Sequence, residues 1–172
     1  MSFLTYPPPR YGGKTGQVSA RFRPADAEPD LVSGGADAGV TGASERQRTH
    51  YLATGASTAG EFGLYRIEMP PRGRGPETHF HRGISESFYV LSGTLRLYDG
   101  ERWIDAVPGE FLYVPVGGLH AFHNASDEPT SFLLLFTPGA PREGYFEGIA
   151  GLADMTEEER QEFFLYHDNH WV

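Results

Sequence analysis

The chain has 172 residues, which is enough for one well-packed domain and too few for two large ones. Its net charge of -9 argues against nucleic-acid binding, because phosphates need a basic protein face. It has no cysteine, so disulfides, thiolate metal sites and cysteine nucleophiles are excluded. The longest apolar run, FLLLF at 132–136, is far shorter than a bilayer-spanning helix. We therefore expect a soluble, cytoplasmic protein that does not bind membranes.

The first predicted region, residues 1–48, is rich in Gly, Pro, Ala and Asp. The stretch EPDLVSGGADAGVTGAS at 28–44 follows neither the period of a helix nor that of a strand. Segments of this composition do not bury enough apolar surface to fold by themselves. We interpret the region as an extended arm followed by a mobile loop.

The second predicted region, residues 49–140, reads as a series of short strands. The 22 glycines and 13 prolines of the chain favour many turns over long helices. Short apolar segments follow one another here, bounded by Gly, Pro, Asn or Asp: THYLAT, EFGLYRIEM, ESFYVLSG, TLRLYDG, ERWIDAV, EFLYVP, HAFHN and SFLLLF. Strands of this length and spacing predict an all-β sandwich or barrel.

The third predicted region, residues 141–172, contains one clear helix. The stretch MTEEERQEFFLYH begins with Thr156 as an N-cap, and Glu159 follows three residues later, which is the pattern of a capping box. Phe163 and Phe164, with Leu165 beside them, give this helix an apolar face to bury. We expect a short C-terminal helical extension packed on the barrel.

Two histidines lie one residue apart in the stretch THFHRGISE. Side chains two apart in a strand point to the same face, so His79 and His81 are expected to project together. Glu86 begins the following strand and can reach the same space, and His120 comes from a distant strand. Three imidazoles and one carboxylate form a ligand set suited to Mn, Fe, Co, Ni, Cu or Zn.

The spacing of glycines and a proline around these residues resembles the paired motifs of the cupin superfamily. From Gly73 the chain reads G-x5-H-x-H-x4-E-x6-G, and from Gly109 it reads G-x5-P-x-G-x2-H-x3-N. The compact gap between them, residues 94–108, is similar to that of small bacterial monocupins. The resemblance implies a double-stranded β-helix, or jelly-roll barrel, and a homodimer. By motif position it also implies that His79, His81, Glu86 and His120 bind one divalent metal.

The remaining histidines and the nearby arginines are predicted to lie outside the metal site. His123 lies three residues after His120 and so is expected to point away from the metal. His167 and His170 are expected in a ragged, solvated helix end. Arg72, Arg74 and Arg82, which bracket the first motif, are expected at a solvated rim.

Three apolar residues share the predicted face of the metal ligands. On the strand pattern, Phe88, Val90 and Phe122 would line a substrate pocket around the ion. Aromatic side chains also fill the core of any small barrel, however, so a purely structural role would explain nearly as many aromatic residues here.

The segment TPGAPREGYFEGIAGL, after the last strand, resembles the corresponding part of quercetinase-like bacterial cupins. In that family a proline-glycine turn leads into a short aromatic helix. The resemblance implies a metal-dependent dioxygenase that takes a small aromatic or enolisable compound together with dioxygen. It also implies Glu86 as the catalytic base. Two alternatives stay open: a metal-dependent isomerase or polyketide cyclase, and a non-catalytic metal-dependent binding protein.

Overall fold

The computed structural model of the protein describes residues 8–33 and 46–172. Part of the region predicted as an arm and a mobile loop, residues 1–7 and 34–45, lies outside the described residues. Within the described ranges, no helix is both long enough and apolar enough to cross a membrane.

A six-stranded antiparallel sheet forms the larger wall of the structure. In spatial order its strands are β1 (Leu31–Ser33), β2 (Gln47–Ala53), β3 (Gly63–Met69), β10 (Thr130–Thr137), β5 (Ser85–Ser92) and β8 (Phe111–Val114). The neighbours β3 and β10, and β10 and β5, are far apart in sequence. Chain segments that are distant in sequence therefore lie side by side in this sheet.

A three-stranded sheet forms the opposite wall, and two short strands complete the β structure. The smaller sheet has the order β7 (Trp103–Ala106), β6 (Leu95–Tyr98) and β9 (Ala121–His123). β4 (His79–Phe80) pairs with β11 (His170–Trp171). The helices α1 (Glu143–Gly148) and α2 (Glu157–Tyr166) follow the barrel, separated by a 3₁₀ helix at Ile149–Asp154.

Alternating side chains of the strands form the hydrophobic core. Every second residue of β3 and of β10 is buried, as the period of a strand requires. Phe132 and Leu134 of β10 belong to one apolar cluster with Leu95 and Leu97 of the smaller sheet. The two sheets therefore face each other across a shared core.

The sequence analysis missed a short strand near each end of the chain. In the first region β1 pairs with the start of β2, although its sequence shows no strand period. His170 lies not in a frayed helix end but in β11, where it pairs with Phe80. Both strands are only two or three residues long, and so short a segment carries no periodic pattern.

The capping box of α2 is confirmed, and its apolar face is smaller than predicted. The Thr156 side chain accepts a hydrogen bond from the amide of Glu159, whose carboxylate accepts one from the amide of Thr156. Phe163 and Phe164 are half-buried, but Leu165 is exposed. The helix therefore packs through its two phenylalanines.

Candidate metal centre

Backbone pairing at one end of the barrel brings the two cupin-like motifs together. His79 and His120 form an isolated antiparallel bridge, in which each amide donates to the other's carbonyl over 3.0 Å. The amide of Gly117 donates to the carbonyl of His81 over 2.7 Å. Gly117 has a φ of 82°, a left-handed conformation that glycine adopts without strain. The loop that delivers His120 is thus held against the strand that carries the other two histidines.

The four predicted ligands form one cluster. His79, His81, Glu86 and His120 each offer a ligand atom, and these atoms all lie within 4.8 Å of one another. All four side chains are buried, with at most 3% of any residue exposed. Polar groups are rarely buried in this way unless they are hydrogen-bonded or bind a metal. The cluster could therefore hold a metal ion.

Each imidazole has its Nδ1 atom against a backbone carbonyl oxygen. The distances are 2.8 Å from His79 to Glu77, 2.6 Å from His81 to Asp168 and 3.0 Å from His120 to Gly118. A carbonyl oxygen only accepts hydrogen bonds, so all three Nδ1 atoms carry the proton. In a neutral imidazole the Nε2 atom then has a free lone pair, which is the form that binds metals.

The Glu86 carboxylate lies against the Nε2 atoms of two of these histidines. Its Oε2 atom lies 2.9 Å from Nε2 of His81 and 2.8 Å from Nε2 of His120. When both rings are neutral and protonated on Nδ1, these contacts place lone pairs against a negative oxygen. A positive charge between them, either a proton or a metal cation, removes the repulsion. The donor set thus fits a divalent cation.

Burial and charge shift the pKa values within the cluster in different directions. Burial, with the nearby positive charge of His120, lowers the pKa of His79 to about 3. Burial opposes ionisation of Glu86, but the charges and hydrogen bonds of His120 and His81 lower its pKa below the usual range. Burial also opposes the charged form of His120, but the Glu86 carboxylate raises its pKa above the ordinary value. Glu86 and His120 therefore each stabilise the charged form of the other.

A cavity of about 920 Å³ adjoins the cluster. His79 and Glu86 line it together with apolar side chains from the barrel and from the C-terminal region: Ile67, Leu134, Phe136, Phe146, Phe164 and Trp171. Polar residues line it as well, among them Thr49, Arg72, Arg74 and Arg142. Apolar walls with polar groups at particular points are typical of small-molecule sites.

The three residues predicted for a substrate pocket lie at different depths. Phe122 lines the cavity. Phe88 and Val90 have no exposed surface and belong to the hydrophobic core, with the Phe88 ring 5.3 Å from that of Phe122. Their part in binding a substrate stays a prediction.

Arg142 is a cavity residue that the sequence analysis missed. Its guanidinium stacks near the Tyr145 and Phe136 rings, 4.2 and 4.9 Å from their centroids, and the residue is only 3% exposed. It forms no salt bridge with any residue in the described ranges. Nothing near Arg142 in the sequence distinguishes it from a surface arginine, so no local pattern could have identified it.

Of the predictions for the other residues near the site, those for His123 and the three arginines are confirmed, and the one for His170 is wrong. His123 lies outside the ligand cluster and packs against Trp103, with 4.8 Å between ring centroids, as predicted. Arg72, Arg74 and Arg82 are exposed, also as predicted. His170 is the exception, because its ring stacks on Phe80, which lies between the candidate ligands His79 and His81, at 5.1 Å.

Comparison with known proteins identifies the barrel. Residues 65–136 match the family model described as "Cupin domain", and all four candidate ligands lie within them. The chain contains a cupin domain. A solved structure of a predicted oxalate decarboxylase from Thermotoga maritima has the same fold, with a TM-score of 0.50 and 19% identity over 54% of this chain and 81% of that one. The predicted all-β jelly-roll barrel and the resemblance to small bacterial cupins are confirmed.

Two curated relatives share part of their sequence with this chain. A quercetin 2,3-dioxygenase of Bacillus subtilis is 32% identical over 92 residues, which cover 54% of this chain and 26% of the dioxygenase. A glucose-6-phosphate isomerase of Pyrococcus horikoshii is 31% identical over 100 residues, covering 54% of this chain and 53% of the isomerase. The chain thus spans between a quarter and about half of the length of these relatives.

Replacing one candidate ligand provides a direct test of the cluster. We expect His120→Ala to lower the affinity for Zn²⁺ or Co²⁺ by more than about 100-fold, since even the hydrogen-bond partners of ligands contribute about 10- to 100-fold. The measurement is competition with a chromophoric chelator, with circular dichroism to verify folding. His123→Ala is the matched control and should bind metal as the unchanged protein does. Wild-type affinity in His120→Ala would contradict the assignment.

Metal occupancy should depend on pH. A proton competes with the metal for Nε2 of His120, and the Glu86 carboxylate strengthens this competition because it raises the pKa of His120. A bound cation displaces that proton, so the metal is lost only at a pH below the pKa of the metal-free ring. We expect occupancy to be complete at neutral pH and to fall below about pH 6. Metal analysis after equilibration across a pH series measures this. Full retention at about pH 4 would show that protons do not compete at the site.

Proposed function

We propose that this cupin binds one divalent transition metal and acts as a dioxygenase on a small aromatic or enolisable compound. The observation that carries the proposal is the convergence of three imidazoles, each protonated on Nδ1, and one carboxylate beside an apolar cavity of about 920 Å³. His79, His81, Glu86 and His120 would hold the metal. This ligand set suits Fe, Mn, Ni, Co, Cu or Zn.

The bound ion would supply Lewis-acid chemistry, and a redox-active ion would also supply electron transfer. The protein side chains would orient the substrate and move its proton. Oε2 of Glu86 faces His81 and His120, and among the described residues no hydrogen bond uses its Oε1 atom. Glu86 lines the cavity, so Oε1 can accept a proton from a hydroxyl group of the substrate.

The charge of Arg142 supports an anionic or enolate substrate. No carboxylate of the described residues pairs with this buried guanidinium, although an unpaired buried charge is costly. An enolate oxygen in the cavity would lie in its field and be stabilised relative to the neutral form. The partial identity with quercetin 2,3-dioxygenase supports the same substrate class, since a flavonol carries an acidic enolic hydroxyl group.

A metal-dependent isomerase is the second candidate. The partial identity with glucose-6-phosphate isomerase supports it, and a buried cation beside the cavity also suits an anionic sugar derivative. Isomerisation through an enediol uses the same proton transfer by Glu86 but consumes no dioxygen. A polyketide cyclase or a non-catalytic binding protein would use the same ligands.

Dioxygen uptake separates these functions. We expect the metal-loaded protein to consume dioxygen with at least one member of a flavonol panel, and Glu86→Gln at saturating metal to reduce the rate by about 100-fold or more. An oxygen electrode and mass spectrometry of the products provide the measurement. His123→Ala is the control and should retain the rate.

Each other outcome identifies a different function. A product of unchanged mass formed without dioxygen uptake, from a flavonol or a phosphorylated sugar, would favour the isomerase. Binding that is lost on chelation, without any product, would favour a metal-dependent binding protein. No uptake with the flavonol panel at full metal occupancy would contradict a flavonol dioxygenase.

We also propose a homodimer, which the resemblance to small bacterial cupins implies. β8 is the last strand of the larger sheet, and on the outer face of β5 and β8 the side chains of Tyr89, Phe111 and Tyr113 are 42%, 63% and 56% exposed. Contiguous exposed aromatic residues next to a sheet edge are typical of an interface. A second copy of the chain would bury both the side chains and the edge.

Light scattering tests the dimer. We expect a mass of twice the 19.0 kDa of one chain, and a shift towards the monomer in Phe111→Glu, because a charge in an apolar interface must be desolvated. Leu165→Glu, at a residue of α2 that is 59% exposed, is the control and should not change the mass. A mass near 19.0 kDa for the unchanged protein would contradict the proposal.

A further inference from the structure

The hydrogen-bond partner of His81 distinguishes it from the other two candidate ligands. His79 and His120 each donate from Nδ1 to a carbonyl only two residues away, in Glu77 and Gly118. His81 donates instead to the carbonyl of Asp168, 87 residues further along the chain, over 2.6 Å. The orientation of this one imidazole therefore depends on residues 167–171, which we call the C-terminal segment. This segment lies outside the residues that match the cupin family model.

The Asp168 side chain holds the C-terminal segment against the loop that follows His81. Its carboxylate accepts hydrogen bonds from the amide of Arg82 at 2.9 and 3.1 Å and from the amide of Gly83 at 2.8 Å. The backbone at Asp168 is left-handed, with a φ of 57°, which aspartate tolerates better than most residues. Side chain and backbone of one residue thus bind both His81 and the two residues after it.

Further contacts hold the segment on both sides of Asp168. The pairing of β11 with β4 sets Trp171 opposite His79, and their rings lie 5.1 Å apart. On the other side, Arg142 donates hydrogen bonds to the carbonyl of His167 and to the Asn169 side chain. The C-terminal segment therefore contacts residues of the site and of the cavity on both sides of Asp168.

We propose that the C-terminal segment is a positioning element of the metal centre, with Asp168 as the residue that fixes the tautomer and orientation of His81. A neutral imidazole exchanges its proton between two nitrogens, and the Asp168 carbonyl keeps that proton on Nδ1, which leaves Nε2 for the metal. Without this contact the ring would also sample the other tautomer and other orientations, and metal affinity would fall. This inference rests on the proposed metal binding.

Substitution of Asp168 tests the proposal. Asp168→Ala keeps the backbone carbonyl but removes the side-chain hydrogen bonds to the amides of Arg82 and Gly83 that hold it against His81. We therefore expect it to lower the affinity for Zn²⁺ by about 10- to 100-fold, the usual contribution of a group that orients a ligand. Asp168→Asn tolerates the left-handed backbone and keeps one side-chain oxygen as acceptor, so it should recover most of the affinity. Asp105→Ala, at an exposed aspartate of the smaller sheet, is the matched control and should bind as the unchanged protein does. Competition with a chromophoric chelator measures all four proteins.

Histidine-ring NMR on the same proteins reports the tautomer itself, which a general loss of stability would not change selectively. In the unchanged protein, with ¹⁵N-labelled histidine, the His81 ring should be protonated on Nδ1, and that proton should exchange slowly with solvent. In Asp168→Ala its exchange should become faster, while the Nδ1 protons of His79 and His120 should stay as they were. Unchanged His81 exchange and unchanged Zn²⁺ affinity in Asp168→Ala would overturn the proposal.

The two measurements keep this inference separate from the proposed function. An unchanged protein that takes up no Zn²⁺ would contradict the metal-binding function, whatever Asp168 does. A protein that binds Zn²⁺ equally well with aspartate or alanine at position 168 would contradict only the role of the segment. A loss of affinity accompanied by the same change at all three histidines would mean that the substitution disturbs the whole site, and it too would overturn the specific assignment to His81.

Discussion

The hydrogen bonds between three Nδ1–H groups and three backbone carbonyls are the interactions on which the site depends. A buried histidine has two nitrogens, and only a fixed proton on one of them leaves the other free to bind a cation. The carbonyls of Glu77, Gly118 and Asp168 supply this constraint. Because backbone carbonyls belong to the strand and loop structure, the fold itself keeps the three histidines in the tautomer that can bind a metal.

Without a cation, the negative charge of Glu86 lies directly against the imidazole nitrogens of His81 and His120. Its carboxylate lies within hydrogen-bond distance of two imidazole nitrogens that are already needed as lone-pair donors. The low pKa of Glu86 and the raised pKa of His120 have the same cause, the contact between the carboxylate and the imidazole nitrogen. A proton shared between them relieves the same repulsion that a metal would relieve. The proposed affinity for a metal and the expected loss of metal in acid would therefore have one physical origin.

The region after the barrel contributes more to the site than a packed extension would need to. Arg142 brings a buried positive charge to the cavity, Trp171 brings an aromatic wall, and Asp168 orients a candidate ligand. The cupin barrel is thus a common frame: β4 carries His79 and His81 directly follows it, β5 carries Glu86, and His120 directly precedes β9. The cavity beside this frame is lined by residues of both the barrel and the C-terminal region.

The sequence by itself determined the barrel strands, the capping box of α2 and the four candidate ligands. These depend on short-range patterns: alternation along a strand, the interval between Thr156 and Glu159, and the spacing of His79 and His81. Only the tertiary structure decided that Arg142 lies at the cavity and that Asp168 holds His81. The Asp168 contact is made by a backbone carbonyl, a group that every residue carries, to a partner 87 residues away. Such a contact leaves no mark on the local pattern of side chains, and it exists only once the chain has folded.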